Sequence, residues 1–190
     1  MRTALMLLAL VACSPFTQAG DKFEVKAEDF KCMLDMTPVR GFYVDNLDPH
    51  QLAQTVAIAE QESGRYPPGS VVQLVPLEVM VKQPVGSNPA TNDWEFFELD
   101  VSADGTVIRN RGVEEVVNRF GGNCLECHQK ARPEYDLICE QSHGCDPIPL
   151  TPQMTTLLQN TDPRCGGRYQ PSADEQALLQ QLSKILTPVQ

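Results

Sequence analysis

Residues 124–128 read Cys124-Leu125-Glu126-Cys127-His128, CLECH in one-letter code. Two thiols at this spacing can add across the two vinyl groups of a protohaem, and the adjacent imidazole then reaches the iron as an axial ligand. The pentapeptide therefore predicts one covalently attached haem c, held by Cys124 and Cys127, with His128 binding both the cofactor and its metal. A thioredoxin-like redox pair is one alternative. It calls for CxxC at the end of a strand opening a βαβ unit, whereas Val113, Val116, Val117 and Phe120 recur ahead of the motif at helical spacing. Half of a zinc site is another, and it calls for two further soft ligands at short spacing.

The start of the chain sets the compartment. MRTALMLLALVA, residues 1–12, is one positive charge followed by an apolar run that is short for a membrane span and the right size for a signal-peptide core. Two processing routes stay open. Thr17-Gln18-Ala19 ahead of Gly20 offers a small-residue cleavage site after residue 19. Leu10-Val11-Ala12-Cys13 resembles a lipoprotein box, in which residues 1–12 are lost and Cys13 carries lipid. Either route predicts a periplasmic protein whose membrane attachment, if it has one, runs through Cys13. Residues 21–190 then make a single haem-binding domain, a length one hydrophobic core can serve.

Seven cysteines are present. Setting aside Cys13, Cys124 and Cys127 leaves Cys32, Cys139, Cys145 and Cys165, an even number in an oxidising compartment, and predicts two disulfides. Three pairings are possible. Cys139 with Cys145 and Cys32 with Cys165 is the preferred one, though spacing alone does not decide it. The formal net charge of −10 argues against a nucleic-acid partner and is compatible with a basic protein partner or with plain solubility; a haem iron would work with a redox partner protein or a small diatomic ligand.

Hydrophobic pattern predicts an α+β fold, an antiparallel β-sheet with flanking helices. Val39 and Phe42 to Val44 suggest a short strand or packed loop. Asp48-Pro49-His50-Gln51 opens a helix over 49–63 that Gly64 ends. Tyr66-Pro67-Pro68-Gly69 is a turn. Strands follow at Val71 to Val75 and Leu77 to Lys82, and Pro76 between them signals an edge, a bulge or a register break. Gln83 to Asp93 is a loop. Trp94 to Val101, WEFFELDV, is the most aromatic strand, and Asp104-Gly105 turns it into Thr106–Asn110. Val113 to Phe120 reads as a helix broken by Gly121-Gly122. Residues 129–150 are irregular, Thr151-Pro152 starts a short helix, and Ser172 with Glu175 caps a final helix rich in leucine.

The order of Tyr66-Pro67-Pro68-Gly69-Ser70-Val71, Val79-Met80-Val81-Lys82, Asp93-Trp94-Glu95-Phe96-Phe97 and CLECH, followed by Lys130-Ala131-Arg132 and Asp136, resembles the cytochrome P460 family over about residues 60–138. The resemblance implies a periplasmic monohaem c-type cytochrome with a largely antiparallel β fold. It implies electron transfer or small-gas binding, as in the related cytochromes c′-β, or oxidation of hydroxylamine or a similar small nitrogen compound. The family's enzymes also cross-link the haem through a strand lysine. The matching position here is Leu74, with Lys82 the nearest lysine downstream, which speaks against hydroxylamine oxidation. Sixth-ligand candidates are Met33, Met36, Met80, Met154, His50 and His143. Val72 shares a strand face with Leu74 and suggests apolar surroundings. Glu78 and Glu95 are the carboxylates available for proton transfer.

Overall fold

The structure, a computed structural model, describes residues 21–186. The expected signal segment, its cleavage after residue 19 and the lipid-bearing Cys13 lie outside the described residues. Six strands form one antiparallel sheet in chain order: β1 (Thr37–Val39), β2 (Phe42–Asn46), β3 (Ser70–Val75), β4 (Glu78–Lys82), β5 (Trp94–Ser102) and β6 (Gly105–Gly112). Each strand pairs with the next; β2 and β3 are separated by the helix α1 (Leu52–Gln61) and β4 and β5 by the loop 83–93, and short turns join the others. The antiparallel sheet and flanking helices of the expected α+β class are present.

Strand alternation gives the sheet two different faces. Phe42, Val44, Val72, Met80, Trp94 and Phe96 share one core cluster, with Tyr66 and Ala59 added by the turn and by α1. Val71, Val79, Val81, Phe97 and Leu99 form the other, covered by Val25, Phe30, Met33 and Met36 from the N-terminal segment. A third, smaller cluster joins Val75 to Leu150 and Leu182. The expected haem-centred fold is corrected here, because the described interior is organised by side-chain cores on the two sides of a sheet.

Three helices follow the sheet, the short α2 (Cys124–His128) and the longer α3 (Pro152–Asn160) and α4 (Ala173–Ile185). Ser172 and Glu175 close a reciprocal capping box on α4, as their spacing predicts, and Thr151 caps α3 with Pro152 at its first position. Gln159 of α3 donates to the carbonyls of Gly41 and Leu74, fastening the helix to the ends of β1 and β3. The buried Cys32–Cys165 disulfide ties the N-terminal segment to the turn after α3. Asp162 adds to that junction by accepting from Met33 N at 2.9 Å while pairing with Arg164 at 2.8 Å.

Three local expectations change. Val113 to Phe120 is not a helix: Val117 bridges to Asn123, and Asn118 N donates to Gly122 O, so the chain doubles back before the CLECH segment. Only Val116 of the expected stripe is fully buried, and the exposed Val117 shows why helical spacing over so few residues misleads. Pro76 marks no edge, because it sits in the turn between β3 and β4, both interior strands, but the expected bulge or register break is present beside it, where the register shifts between Gln73 and Val75. The helix expected over 49–63 divides into a tight helical turn at Pro49–Gln51, capped by Asp48, and α1, which ends at Glu62 in a left-handed conformation.

Candidate functional site

CLECH forms a one-turn helix, α2 (Cys124–His128), whose first turn is capped by Asn123 accepting from Glu126 N at 3.0 Å. The segment packs on the Trp94 face of the sheet: Cys124 and Leu125 lie against that core cluster, and His128 sits 5.3 Å from the Phe96 ring. Directly opposed residues in the register of β4 and β5 build this face in rows, Glu78 against Glu98, Met80 against Phe96 and Lys82 against Trp94. A period of two brings carboxylates to one end, an apolar floor to the middle and a cation to the other end.

Cys124 and Cys127 are free thiols, each partly buried. Burial pushes the Cys124 thiol up to about 12, and the carboxylates of Glu78 and Glu98 push the same way. Burial also raises Cys127, against the opposing pull of Lys130. Beside them, Glu78 is raised to about 7, first by burial and then by the neighbouring Glu98 charge. Glu98 itself is buried and held by Arg109 and by Arg119, the latter at 3.6 Å. The His128 Nδ1 is 2.7 Å from Leu137 O, the geometry of an Nδ1–H donating to a carbonyl, which leaves Nε2 as the acceptor nitrogen. Burial pulls this imidazole below its ordinary pKa despite that hydrogen bond, so it is neutral near pH 7.

The residues after α2 wrap back over it. The Cys139–Cys145 disulfide is formed, with Cys139 Sγ 3.5 Å and Cys145 Sγ 3.9 Å from the carbonyl oxygen of Cys127. Arg132 N donates to His143 O, and Lys130 pairs with Asp146, so the loop is stitched to the segment just beyond α2 at several points. His143 is buried, stacks on Tyr135 at 3.7 Å and holds Ile138 O through Nδ1.

At the cationic end of the face, Asp136 is a hub. Its Oδ2 accepts from Lys82 Nζ at 2.7 Å and from Tyr66 N at 2.9 Å, and its carbonyl accepts from the Trp94 indole at 2.7 Å. Lys82 also lies 4.7 Å over the Trp94 ring, and Tyr66 meets Trp94 edge to face at 5.5 Å. Tyr66, Lys82, Trp94 and Asp136, which carry much of the cytochrome P460 resemblance, are thus joined as one buried structural knot. Lys82 is fully engaged there and serves no cross-link.

The sixth-ligand candidates scatter. Met33 and Met36 belong to the core on the opposite side of the sheet from His128, Met154 to the small cluster near α4, and His50 is exposed at the start of the helical turn before α1. Met80 lies on the same face as Phe96, among core side chains with Val72 and Leu74. Of the two carboxylates, Glu95 is bound by Arg111 at 2.8 Å and accepts from Gln83, whereas Glu78 stands at the thiol end.

No family model matches this sequence, and no curated protein or solved structure matches it at a significant level. Among the described residues no three His, Cys, Asp or Glu side chains gather as a metal site. The expectations of a cytochrome P460 relative, of a covalent haem c, and of electron transfer, gas binding or hydroxylamine oxidation at an iron are therefore corrected. The findings support a mixed α+β domain with two disulfides and a separate pair of thiols. Sequence reasoning placed Cys124, Cys127 and His128 together and weighed Glu78. The preferred Cys139–Cys145 pairing is the one formed, but sequence reasoning missed Glu98 and the seating of that disulfide on Cys127. Strand alternation from Trp94 offered the signal for Glu98; for the disulfide contact the sequence held none.

Proposed function

We propose that this chain works through the thiols of Cys124 and Cys127 as a dithiol–disulfide site, passing two electrons to the disulfide of a partner. One observation carries the reading: four of the six described cysteines are joined in disulfides, while these two, three residues apart on one helical turn, are free. In the reaction one thiolate attacks a partner disulfide and releases a partner thiolate. The second cysteine then attacks the mixed disulfide, leaving a Cys124–Cys127 disulfide and a second partner thiol, and the two protons lost by the pair balance those gained by the products.

The surroundings bear on the direction of transfer. A pair whose thiolates are stabilised is an oxidant, because its reduced form is favoured; here burial disfavours both thiolates, reinforced at Cys124 by Glu78 and Glu98, which supports a reducing pair. Glu78, raised to about 7, is a proton acceptor suited to Cys124 as attack begins. The export-type leader supports work outside the cytosol, and the charge of −10 supports a neutral or basic partner.

The test is equilibration of the full chain in thiol–disulfide buffers of graded potential, followed by acid quenching, alkylation and intact-mass analysis. The expected result is loss of two alkylatable thiols together, in a single two-electron transition, with a peptide linking Cys124 to Cys127. Independent titration of the two cysteines would refute the proposal. So would an isolated protein in which both sulfurs already carry a covalently added group.

A further inference from the structure

The two disulfides differ in setting. Cys32–Cys165 is buried at both ends, beside Met33 of the core on the sheet face opposite Phe96, and ties together segments 133 residues apart. Cys139–Cys145 is partly exposed, spans six residues, and lies against the backbone of α2, with both sulfurs near Cys127 O and Cys139 Sγ also 3.9 Å from His128 O. The first has the place of a structural staple. The second is brought to the free thiol pair by every connection described above for the loop.

We infer that Cys139–Cys145 is an internal redox partner of Cys124 and Cys127, so that electrons taken up by the loop disulfide come from the α2 dithiol. The inference rests on the dithiol reading of α2 and extends it from two cysteines to four. In the step, the Cys127 thiolate attacks one sulfur of the loop disulfide, forming a mixed disulfide and releasing the other loop cysteine as a thiolate. Cys124 then attacks the Cys127 sulfur. The Cys124–Cys127 bond forms, the dithiol is oxidised by two electrons, and Cys139 and Cys145 become thiols carrying the two protons given up by the pair. No external oxidant is needed.

Three features of the fold favour this route. The attacking residue is the one whose carbonyl oxygen lies 3.5 and 3.9 Å from the two loop sulfurs, so the loop disulfide already rests on its backbone. The Cys127 thiol lies within the field of Lys130 and Asp146, and Asp146 directly follows Cys145. The contact is with the carbonyl end of α2, so in-line attack requires α2 to open locally; it is a five-residue helix with no fully buried residue, and a single turn has little cooperative stability to lose.

The experiment uses the full chain carrying Cys124→Ser, which blocks the second step and leaves Cys127 to accumulate as a mixed disulfide. The variant is held without oxygen at pH 7, 8 and 9, quenched in acid, alkylated and mapped as non-reduced peptides. The expected species link Cys127 to Cys139 or Cys145, with one alkylated loop cysteine, and their rate of appearance rises about tenfold per pH unit as the thiolate fraction grows. The wild-type chain is treated in parallel with an external disulfide. If Cys124 and Cys127 join there, while the variant keeps only Cys139–Cys145 and Cys32–Cys165 at all three pH values, the internal relay is overturned and the external dithiol reading stands. If they do not join, the dithiol reading itself fails. The double variant Cys139→Ala/Cys145→Ala supplies the reverse arm: retained external exchange with no internal product is expected.

Discussion

Replacing Lys82 by Met removes the cation from a site where its partner has no access to water. The Lys82 side chain is 4% exposed and that of Asp136 is 1% exposed, and they meet at 2.7 Å. After the change, Asp136 Oδ2 retains Tyr66 N as a donor, and Oδ1 has no partner to begin with. Removing one member of such a buried pair typically costs about 3–5 kcal/mol, because the remaining charge is left uncompensated. Loss of the contact with the Trp94 ring adds to this, by roughly 0.5–2 kcal/mol. For a domain of this size each kcal/mol moves Tm by about 2–4 °C, so the variant should melt at least roughly 6 °C below the wild type. Asp136→Asn in the same background removes the stranded charge and keeps a residue type that tolerates the φ of 50° at this position. It should recover a substantial part of the loss at pH 7. Urea and thermal unfolding of the single and double variants at pH 7 provide the measurement. A Lys82→Met variant within about 1 kcal/mol of wild type and not improved by Asp136→Asn would refute the view of this pair as the strut of the face.

Glu78→Gln should change how stability varies with pH. The wild-type carboxyl is raised from 4.5 to about 7 by folding, so it contributes stability that is present below pH 4.5 and is lost as pH rises through 7. The variant should show a flatter slope over that window in unfolding curves. The same substitution removes a charge that raises Cys124, so alkylation of Cys124 above pH 7 should quicken, as followed by peptide mass analysis. Lys130→Gln should act oppositely on Cys127, slowing its alkylation because the ammonium holds that thiol down. Cys32→Ser/Cys165→Ser should lower the unfolding free energy by roughly 2–5 kcal/mol, with the Cys124 and Cys127 reactivities unchanged, since this disulfide constrains a long loop away from α2.

Local signals in the sequence located most elements. The Ser172 and Glu175 capping box, the Pro152 helix start, the Asp104-Gly105 hairpin and the period of two through Trp94 to Val101 each depend on neighbours a few residues away. Their structures follow from that neighbourhood. The segment from Val113 to Phe120 was misread because three or four apolar residues at helical spacing cannot outweigh the Asn118 and Gly122 turn. Cys124, Cys127 and His128 were legible as one site for the same local reason: they are adjacent in the chain. Their chemistry was not. CLECH alone pointed to a haem, and the likeness around Tyr66, Lys82, Trp94 and Asp136 reinforced it, until these four proved to be bonded to one another.

What only the tertiary structure decided is what surrounds the motif. Composition and cysteine number predicted two disulfides with only a slight preference among three pairings, for the one that forms, because a pairing is set by which segments the sheet brings to within about 6 Å. The fold selected Cys32 with Cys165 and Cys139 with Cys145, and laid the second against Cys127. Likewise the acidity of Glu78 and the resistance of Cys124 to ionisation arise from a carboxylate one strand away and from burial, neither of which a linear sequence encodes. Amino-acid order determined the reactive groups of this chain; long-range packing determined their pKa values, their partners and which sulfurs remain free.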